Sequence, residues 1–372
     1  MRERPYAGRL AEFRKRLIKR SIDTAWIVQP ENRRYLSGYK AQDAQLTESS
    51  GSLLINKNIA FLLTDSRFTT EAETEAVDFE VYTLKDGIVE ELPGLLERME
   101  TRSLGFEENY VTWGLHNEIA EKLGSLSFQV DLVSLDGVVE SMREIKDAQE
   151  IKALKASGDL IATVLEAVVS KMMPGMTEKE VAWQIEGMAR ERGADELAFP
   201  SIVASGPNGA LPHAVPTDRK LKEGEPIVLD VGVKLDGYCS DMTRTVFLGE
   251  PKSKFKNIYN IVRRAQMSAM EEVKAGNESV QPDKIARDII KESGYGDYFG
   301  HGLGHGVGLA THESPRIGPR KSIKLKKGMI VTVEPGIYLP GKGGVRLEQM
   351  VVVEERVPRI LTGDRLFYDF TL

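Results

Sequence analysis

Residues 225–249, EPIVLDVGVKLDGYCSDMTRTVFLG, decide how the rest of this chain is read. From Ile227 to Val233 the run is apolar except for Asp230, and an acid in a strand that reads as buried costs several kcal/mol unless it is paired or metal-bound. Asp236-Gly237 at its middle is the dipeptide favoured by two-residue hairpin turns of type I′, which need positive φ at both central residues. Such a turn pairs Leu235 with Tyr238 and Asp230 with Thr243, so Asp241 falls diagonally across from Asp230 on the same face. Diagonal neighbours lie about 7–8 Å apart at the backbone. That is too close for two bare carboxylates and well suited to two side chains gripping one metal centre.

Further along, the pattern returns. Glu334 closes the apolar run GMIVTVEP (residues 328–335), and Glu348 lies inside GGVRLEQMVVVEE (residues 343–355), with Arg346 on its strand face. Each strand region follows two helical ones. A charged helix beginning near Asp147 is stopped by Pro174-Gly175, and a second, over residues 178–192, opens on the capping box Thr177/Glu180. Residues 254–275 and 282–292 are the corresponding helices of the later copy. The part from residue 143 onward therefore reads as an α+β domain of two pseudo-twofold helix–helix–strand–strand units. Two strand pairs, each with two acids, can converge between the units and hold two divalent ions whose charge balances four carboxylates. Without ions such a cluster must take up protons.

Four of the five histidines fall late in the chain, at His213, His301, His305 and His312. HGLGHGVGL (residues 301–309) surrounds two of them with glycine, a loop or strand able to approach other backbone closely. A nitrogen ligand added to four oxygens suits Mn, Co, Fe or Zn, with the harder ions favoured. The single cysteine, Cys239, excludes a Cys-rich zinc site and any intrachain disulfide.

Residues 1–142 read as a smaller α/β domain. TAWIVQ (24–29), SLLINKNIAFLLTD (52–65), FEVYTL (79–84) and SLGFEE (103–108) are strand-like, with helical patterns at 10–20, 90–99 and 115–123. This part holds one histidine, His116, and no cluster of ligand-type side chains, which points to recognition or assembly. A length of 372 residues with 41% hydrophobic and 28% charged residues fits two such cores. The net charge of −6 argues against nucleic-acid binding through phosphate neutralisation, and the basic run at 316–327 reads as a solvated loop. No stretch reaches the roughly 18 apolar residues of a membrane span. The opening MRERPYAGRLAEFRKRLIKR lacks the apolar core of a secretory signal, so a cytoplasmic protein is expected.

Taken in order, Asp230 and Asp241 in their hairpin, GHGVG at His305, TVEPG at Glu334 and VRLEQ at Glu348 resemble the five-ligand signature of the pita-bread dinuclear metallopeptidases, in the Xaa-Pro peptidase branch of prolidases and aminopeptidases P. The resemblance extends to IVASGPNGALPHAVPTDRKLKEGE around His213, to THESPRI around His312, and to NRRYLSGY and LLTDSRFTTEA in the creatinase-like amino-terminal domain. One departure stands out. The branch commonly reads Arg-Ile-Glu-Asp where this chain has Arg346-Leu347-Glu348-Gln349; Gln349 should point away from the ligand face.

The resemblance implies a metal-dependent exopeptidase cleaving the Xaa-Pro bond of dipeptides or short peptides by a bridging hydroxide. Asp230, Asp241, His305, Glu334 and Glu348 would hold two divalent ions, Mn or Co ahead of Zn or Fe. Glu334 would move the proton, His213 and His312 would donate hydrogen bonds to substrate, His301 would border the proline pocket and Arg346 would brace the ligands. Arg316 is a candidate anchor for a dipeptide carboxylate. The resembled branch also implies a homodimer in which the amino-terminal domain narrows the partner's cleft, with residues 35–39 or 65–68 as candidate contacts. A methionine aminopeptidase shares the ligands but does not need the amino-terminal domain. A creatinase-type amidinohydrolase lacks the ligands, and a non-catalytic peptide-binding member of the fold usually loses some of them.

Overall fold

In the computed structural model the described residues are 5–43 and 45–370, and the chain divides after Arg143 into two compact units.

The first unit is built on a six-stranded mixed sheet. Its spatial order is Glu80–Thr83, Ala60–Thr64, Ser52–Asn56, Thr24–Ile27, Ser103–Phe106 and Asp131–Ser134. Thr24–Ile27 is central and wholly buried, as expected for TAWI, which offers no polar face. It runs antiparallel to Ser52–Asn56 and parallel to Ser103–Phe106. Trp26, Leu54, Phe61 and Leu104 pack with Leu92, Leu95 and Leu96 of the helix Ile88–Arg98 in one core. The helix Pro30–Ser37 begins on a proline and ends at Gly38, whose φ of 83° suits only glycine comfortably. Its burial corrects one expectation. Tyr35, Leu36 and Tyr39 face inward, and the two tyrosine hydroxyls donate to Met142 O and Ser50 O, so residues 35–39 offer nothing to a partner chain. Arg67, in the other candidate segment, is exposed.

The second unit repeats its order of elements. The helices Ala148–Val169 and Glu178–Glu191 both start on complete capping boxes, Asp147/Glu150 and Thr177/Glu180. Each such cap is worth about 1 kcal/mol. Their apolar faces cover a three-stranded antiparallel sheet of Ile202–Ser205, Pro226–Val231 and Met242–Phe247. In the second copy, Ser253–Met270 and Val280–Glu292 pack with Ile330–Val333, Gly336–Leu339, Gly343–Arg346 and Gln349–Val352 in the larger core. Among the described residues no helix is long and apolar enough to cross a membrane.

The deciding hairpin has the expected register. Asp236 and Gly237 have φ of 51° and 72°, Leu235 pairs with Tyr238, and Asp230 pairs with Thr243. The ladder divides between two sheets at Gly232, where an added Cβ would lie 2.2 Å from Ser240 O.

Glu348 does not lie inside a strand as residues 343–355 suggested. Gly343–Arg346 pairs with Gly336–Leu339, Gln349–Val352 pairs with Ile330–Val333, and Leu347-Glu348 forms the break. Pro335, without an N–H, interrupts the partner strand at the same level. The backbone uses the break to cross over: Glu348 N donates to Thr243 O at 3.0 Å, tying the second copy to the first.

Candidate metal centre

The hairpin delivers Asp230 and Asp241 from the first copy, and the two edges of the Leu347-Glu348 break deliver Arg346 and Glu348 from the second. His305 arrives on the strand Gly304–Gly306, squeezed between Glu313–Ile317 and Ile330–Val333. Added Cβ atoms at Gly304 and Gly306 would come within 2.0 Å of Thr332 O and 2.2 Å of Ser314 O, so the histidine needs glycine on both sides.

Asp230, Asp241, His305, Glu334 and Glu348 all line one cavity of about 450 Å³, together with His213, His301, His312, Arg316 and Arg346. Ligand atoms of Asp241, His305 and Glu348 lie within 4.8 Å of one another. His305 Nδ1 faces Gly306 O at 3.1 Å, and Nε2 points inward, 3.3 Å from Glu334 Oε1 and 3.6 Å from Asp241 Oδ2; with the Nδ1 proton held on Gly306 O, loss of the Nε2 proton would free a lone pair for a metal. Glu348 Oε2 accepts from Thr243 Oγ1 at 2.7 Å. Asp230 Oδ2 accepts from Arg346 at 2.6 Å, while Asp230 Oδ1 is buried with no hydrogen-bond partner among the described residues.

The electrostatics of this set fit a cation. Two buried carboxylates, Asp241 and Glu348, and two half-buried ones, Asp230 and Glu334, face one guanidinium. Burial, then the charges of Glu348 and Asp230, push Asp241 well above the usual carboxylate range. Burial with the charges of Glu334 and Asp230 does the same to Glu348. Asp230 is raised by burial, against the pull of Arg346. Burial would raise Glu334 too, but the hydrogen bond and charge of His305 outweigh it and bring it down to about 2. Divalent ions supply what these groups lack: positive charge at the centre, and a partner for the orphaned Asp230 oxygen. Asp241, His305 and Glu348 are the set the geometry gathers most tightly, and Asp230 and Glu334 face the same space.

Around this centre each remaining group has a definite attachment. His213 rides on the loop after Gly206–Ala210, which Glu178 pins from within. That carboxylate, fully buried, accepts from Ser205 N at 2.7 Å, Asn208 Nδ2 at 3.0 Å and Thr217 N at 3.0 Å. The His312 and His305 rings lie 4.3 Å apart at their centroids, and burial followed by the charge of His305 lowers the His312 pKa. Arg316 stands exposed at the cavity with no ion pair or hydrogen bond to its side chain among the described residues.

The sequence reading had no place for Tyr338. Arg346 Nη1 donates to its oxygen at 2.9 Å, and the hydroxyl lies 2.8 Å from His301 Nε2. His301 Nδ1 faces Gly302 O at 2.8 Å. A chain from Asp230 through Arg346 and Tyr338 thus ends on His301 Nε2 while Gly302 O takes Nδ1, leaving that ring to act by shape. Burial pushes Tyr338 up to about 12, so it stays a proton donor. The signal was present in GIYL: an added Cβ at Gly336 would meet the Tyr338 hydroxyl at 2.5 Å, so the glycine two residues earlier makes room for it. Arg346 sits opposite that glycine.

Comparison with known proteins agrees with this architecture. Residues 152–355 match the model of metallopeptidase family M24, and residues 9–145 match the creatinase/prolidase N-terminal domain. The chain is 35% identical to the Xaa-Pro dipeptidase of Pyrococcus furiosus over 95% of its own length and 97% of the relative's. Among solved structures it superposes on the Xaa-Pro dipeptidase from Bacillus anthracis with a TM-score of 0.90 at 35% identity, covering 97% and 99% of the two chains. The X-Pro aminopeptidase from Thermotoga maritima gives a TM-score of 0.84 at 37% identity, covering 93% and 97%. With a catalytic-domain match over more than half its length, a creatinase/prolidase domain before it and a buried carboxylate–histidine centre, the chain belongs to metallopeptidase family M24.

Proposed function

We propose that the chain hydrolyses the peptide bond preceding proline at the amino end of dipeptides or short peptides. The observation that carries the reading is the convergence of Asp230, Asp241, His305, Glu334 and Glu348 on one cavity, with an orphaned carboxylate oxygen among them. These five would hold two divalent ions, and their oxygen-rich chemistry favours Mn or Co. When bound, such ions supply Lewis acidity and make water a nucleophile at neutral pH.

The chain's own residues do the rest. Glu334, held ionised beside His305, receives the proton of the attacking water and passes it to the proline nitrogen, which leaves poorly as an anion. His312, its pKa lowered and therefore neutral at pH 7, donates one hydrogen bond to the substrate without adding charge, and His213 does so from the opposite loop. His301 packs against the proline ring while Tyr338 and Arg346 hold it. The order of substrate contacts follows: proline next to His301, the scissile carbonyl at the centre, and a carboxylate at Arg316.

Arg316 gives the test of substrate length. Arg316→Gln is expected to raise KM for Gly-Pro by roughly tenfold to a hundredfold, the loss of one charged hydrogen bond, and to leave Gly-Pro-Ala unchanged. Equal effects on both peptides would remove Arg316 from carboxylate recognition, and no cleavage of either by the wild type would remove the Xaa-Pro reading itself.

The same reading includes a homodimer, because the amino-terminal unit brings no ligand cluster among the described residues and its use would lie in walling a cleft. Light scattering is expected to give twice the 41.4 kDa chain mass; the single-chain mass at micromolar concentration would overturn this.

A further inference from the structure

Behind the metal centre, on the side away from the cavity, lies a cation that the mechanism does not use. Arg244 follows Thr243 in the deciding hairpin, and its side chain is fully buried. It points neither to solvent nor into the cavity, and its guanidinium spans two parts of the chain. On one side Nη1 donates to Thr243 O at 2.8 Å and to Glu348 O. On the other Nη2 donates to Thr362 O at 3.0 Å and to the buried carboxylate of Asp364. The Phe367 ring covers the guanidinium face at 4.2 Å.

A second tie runs beside the first. Thr362 Oγ1 accepts from Met350 N at 2.9 Å and donates to Gln349 Oε1 at 2.7 Å. This gives Gln349, the residue that departs from the resembled pattern, a definite role: its amide oxygen faces away from the ligands and receives the terminal segment. Glu348 is therefore held by its neighbours on every side. Its N–H goes to Thr243 O, its carboxylate receives Thr243 Oγ1, its C=O receives Arg244, and the next two residues are tied to Thr362.

We propose that the segment 362–367 is a clasp that positions Glu348 for metal binding, acting through Arg244 on one side and Gln349 on the other. The inference rests on the metal reading given above. None of Arg244, Gln349, Thr362 and Asp364 lines the cavity, so these are positioning residues rather than catalytic ones. A buried cation tied by its hydrogen bonds to both backbone strands cannot move without moving them, and it stays only while Asp364 neutralises it. Outer groups that orient a ligand in this way are commonly worth about tenfold to a hundredfold in metal affinity.

The test is titration of the metal-stripped full-length protein with Mn²⁺, read by calorimetry and by the electron paramagnetic resonance of free Mn²⁺. Each variant's melting temperature is recorded alongside. Asp364→Asn and Thr362→Val are expected to weaken the tighter Mn²⁺ site by about tenfold or more, with Thr362→Ser retaining wild-type affinity. Phe370→Ala is the packing control: its ring lies on Phe247 and Tyr259, so it is expected to lower the melting temperature and leave Mn²⁺ affinity within about twofold of wild type. Folded Asp364→Asn and Thr362→Val proteins with wild-type affinity overturn the clasp, and so does Phe370→Ala weakening Mn²⁺ as much as they do. Wild-type protein that takes up no Mn²⁺ overturns the metal reading instead, in a separate arm of the same experiment.

Discussion

Asp241→Asn is expected to fold, to lose at least one bound ion and to lose turnover by roughly a thousandfold. The amide has the volume of the carboxylate but no charge, and Asp241 is one of the three side chains whose ligand atoms converge within 4.8 Å. Metal-assisted charge stabilisation is worth several kcal/mol, and about 1.4 kcal/mol is a decade in rate. The stability change should reverse sign with metal. In stripped protein at neutral pH, burial and the charges of Glu348 and Asp230 oppose ionisation of Asp241, so a neutral side chain relieves the site and raises the melting temperature. With Mn²⁺ present the variant melts below wild type. Melting curves in chelator and in Mn²⁺, with metal analysis, check both halves; retained stoichiometry together with retained turnover would rule out the assignment.

Chelation should be the second large effect. EDTA is expected to abolish hydrolysis, and Mn²⁺ or Co²⁺ to restore it best. Full activity in stripped protein would sink the mechanism. The pH dependence has a definite sign. Asp241 and Glu348 have pKa values raised well above 3.8 and 4.5 in the folded, metal-free protein, so the native state binds more protons there than the unfolded chain. Stability of the stripped protein is therefore lost as pH rises from the ordinary carboxylate range toward the raised values. Metal binding needs the same groups deprotonated, and His305, raised by Glu334 against the effect of burial, must also lose its extra proton. Loading should release protons, and the rise in melting temperature given by Mn²⁺ should grow with pH across that window. Calorimetry in phosphate and in Tris separates proton release from binding; heats that do not depend on the buffer would contradict it.

Much of this was legible before any coordinates. The type I′ dipeptide fixes a two-residue turn, and a register fixed at the turn propagates to Asp230 and Thr243 because strand side chains alternate strictly. The acids stood out because nothing else explains a carboxylate in an apolar strand. The structure gathers every candidate side chain onto one cavity. Less legible was whatever depends on backbone leaving its own ladder. VRLEQMVVV has unbroken strand character, and only the docking of Glu348 N onto Thr243 O, together with Pro335 opposite, reveals the break. Tyr338 passed without a reading, and only the space at Gly336 and the contacts of its hydroxyl reveal its place. Arg244 drew no attention in the sequence, since the segment that buries it lies more than a hundred residues away.

The cross-link between Thr243 and Glu348 has a kinetic meaning. Each acid-bearing strand pair closes a short loop and can form locally, whereas Thr243 and Glu348 are separated by 105 residues, and joining them requires most of the second unit to be in place. Short-range pairings form early and long-range ones late, since loop-closure entropy must be overcome before distant contacts repay it. The complete ligand set is therefore expected to close late in folding, so that an ion would meet a site already assembled by the chain. Metal then has no part in gathering the ligands: protein refolded in chelator is expected to reach the folded state and to bind ions on their addition without renaturation.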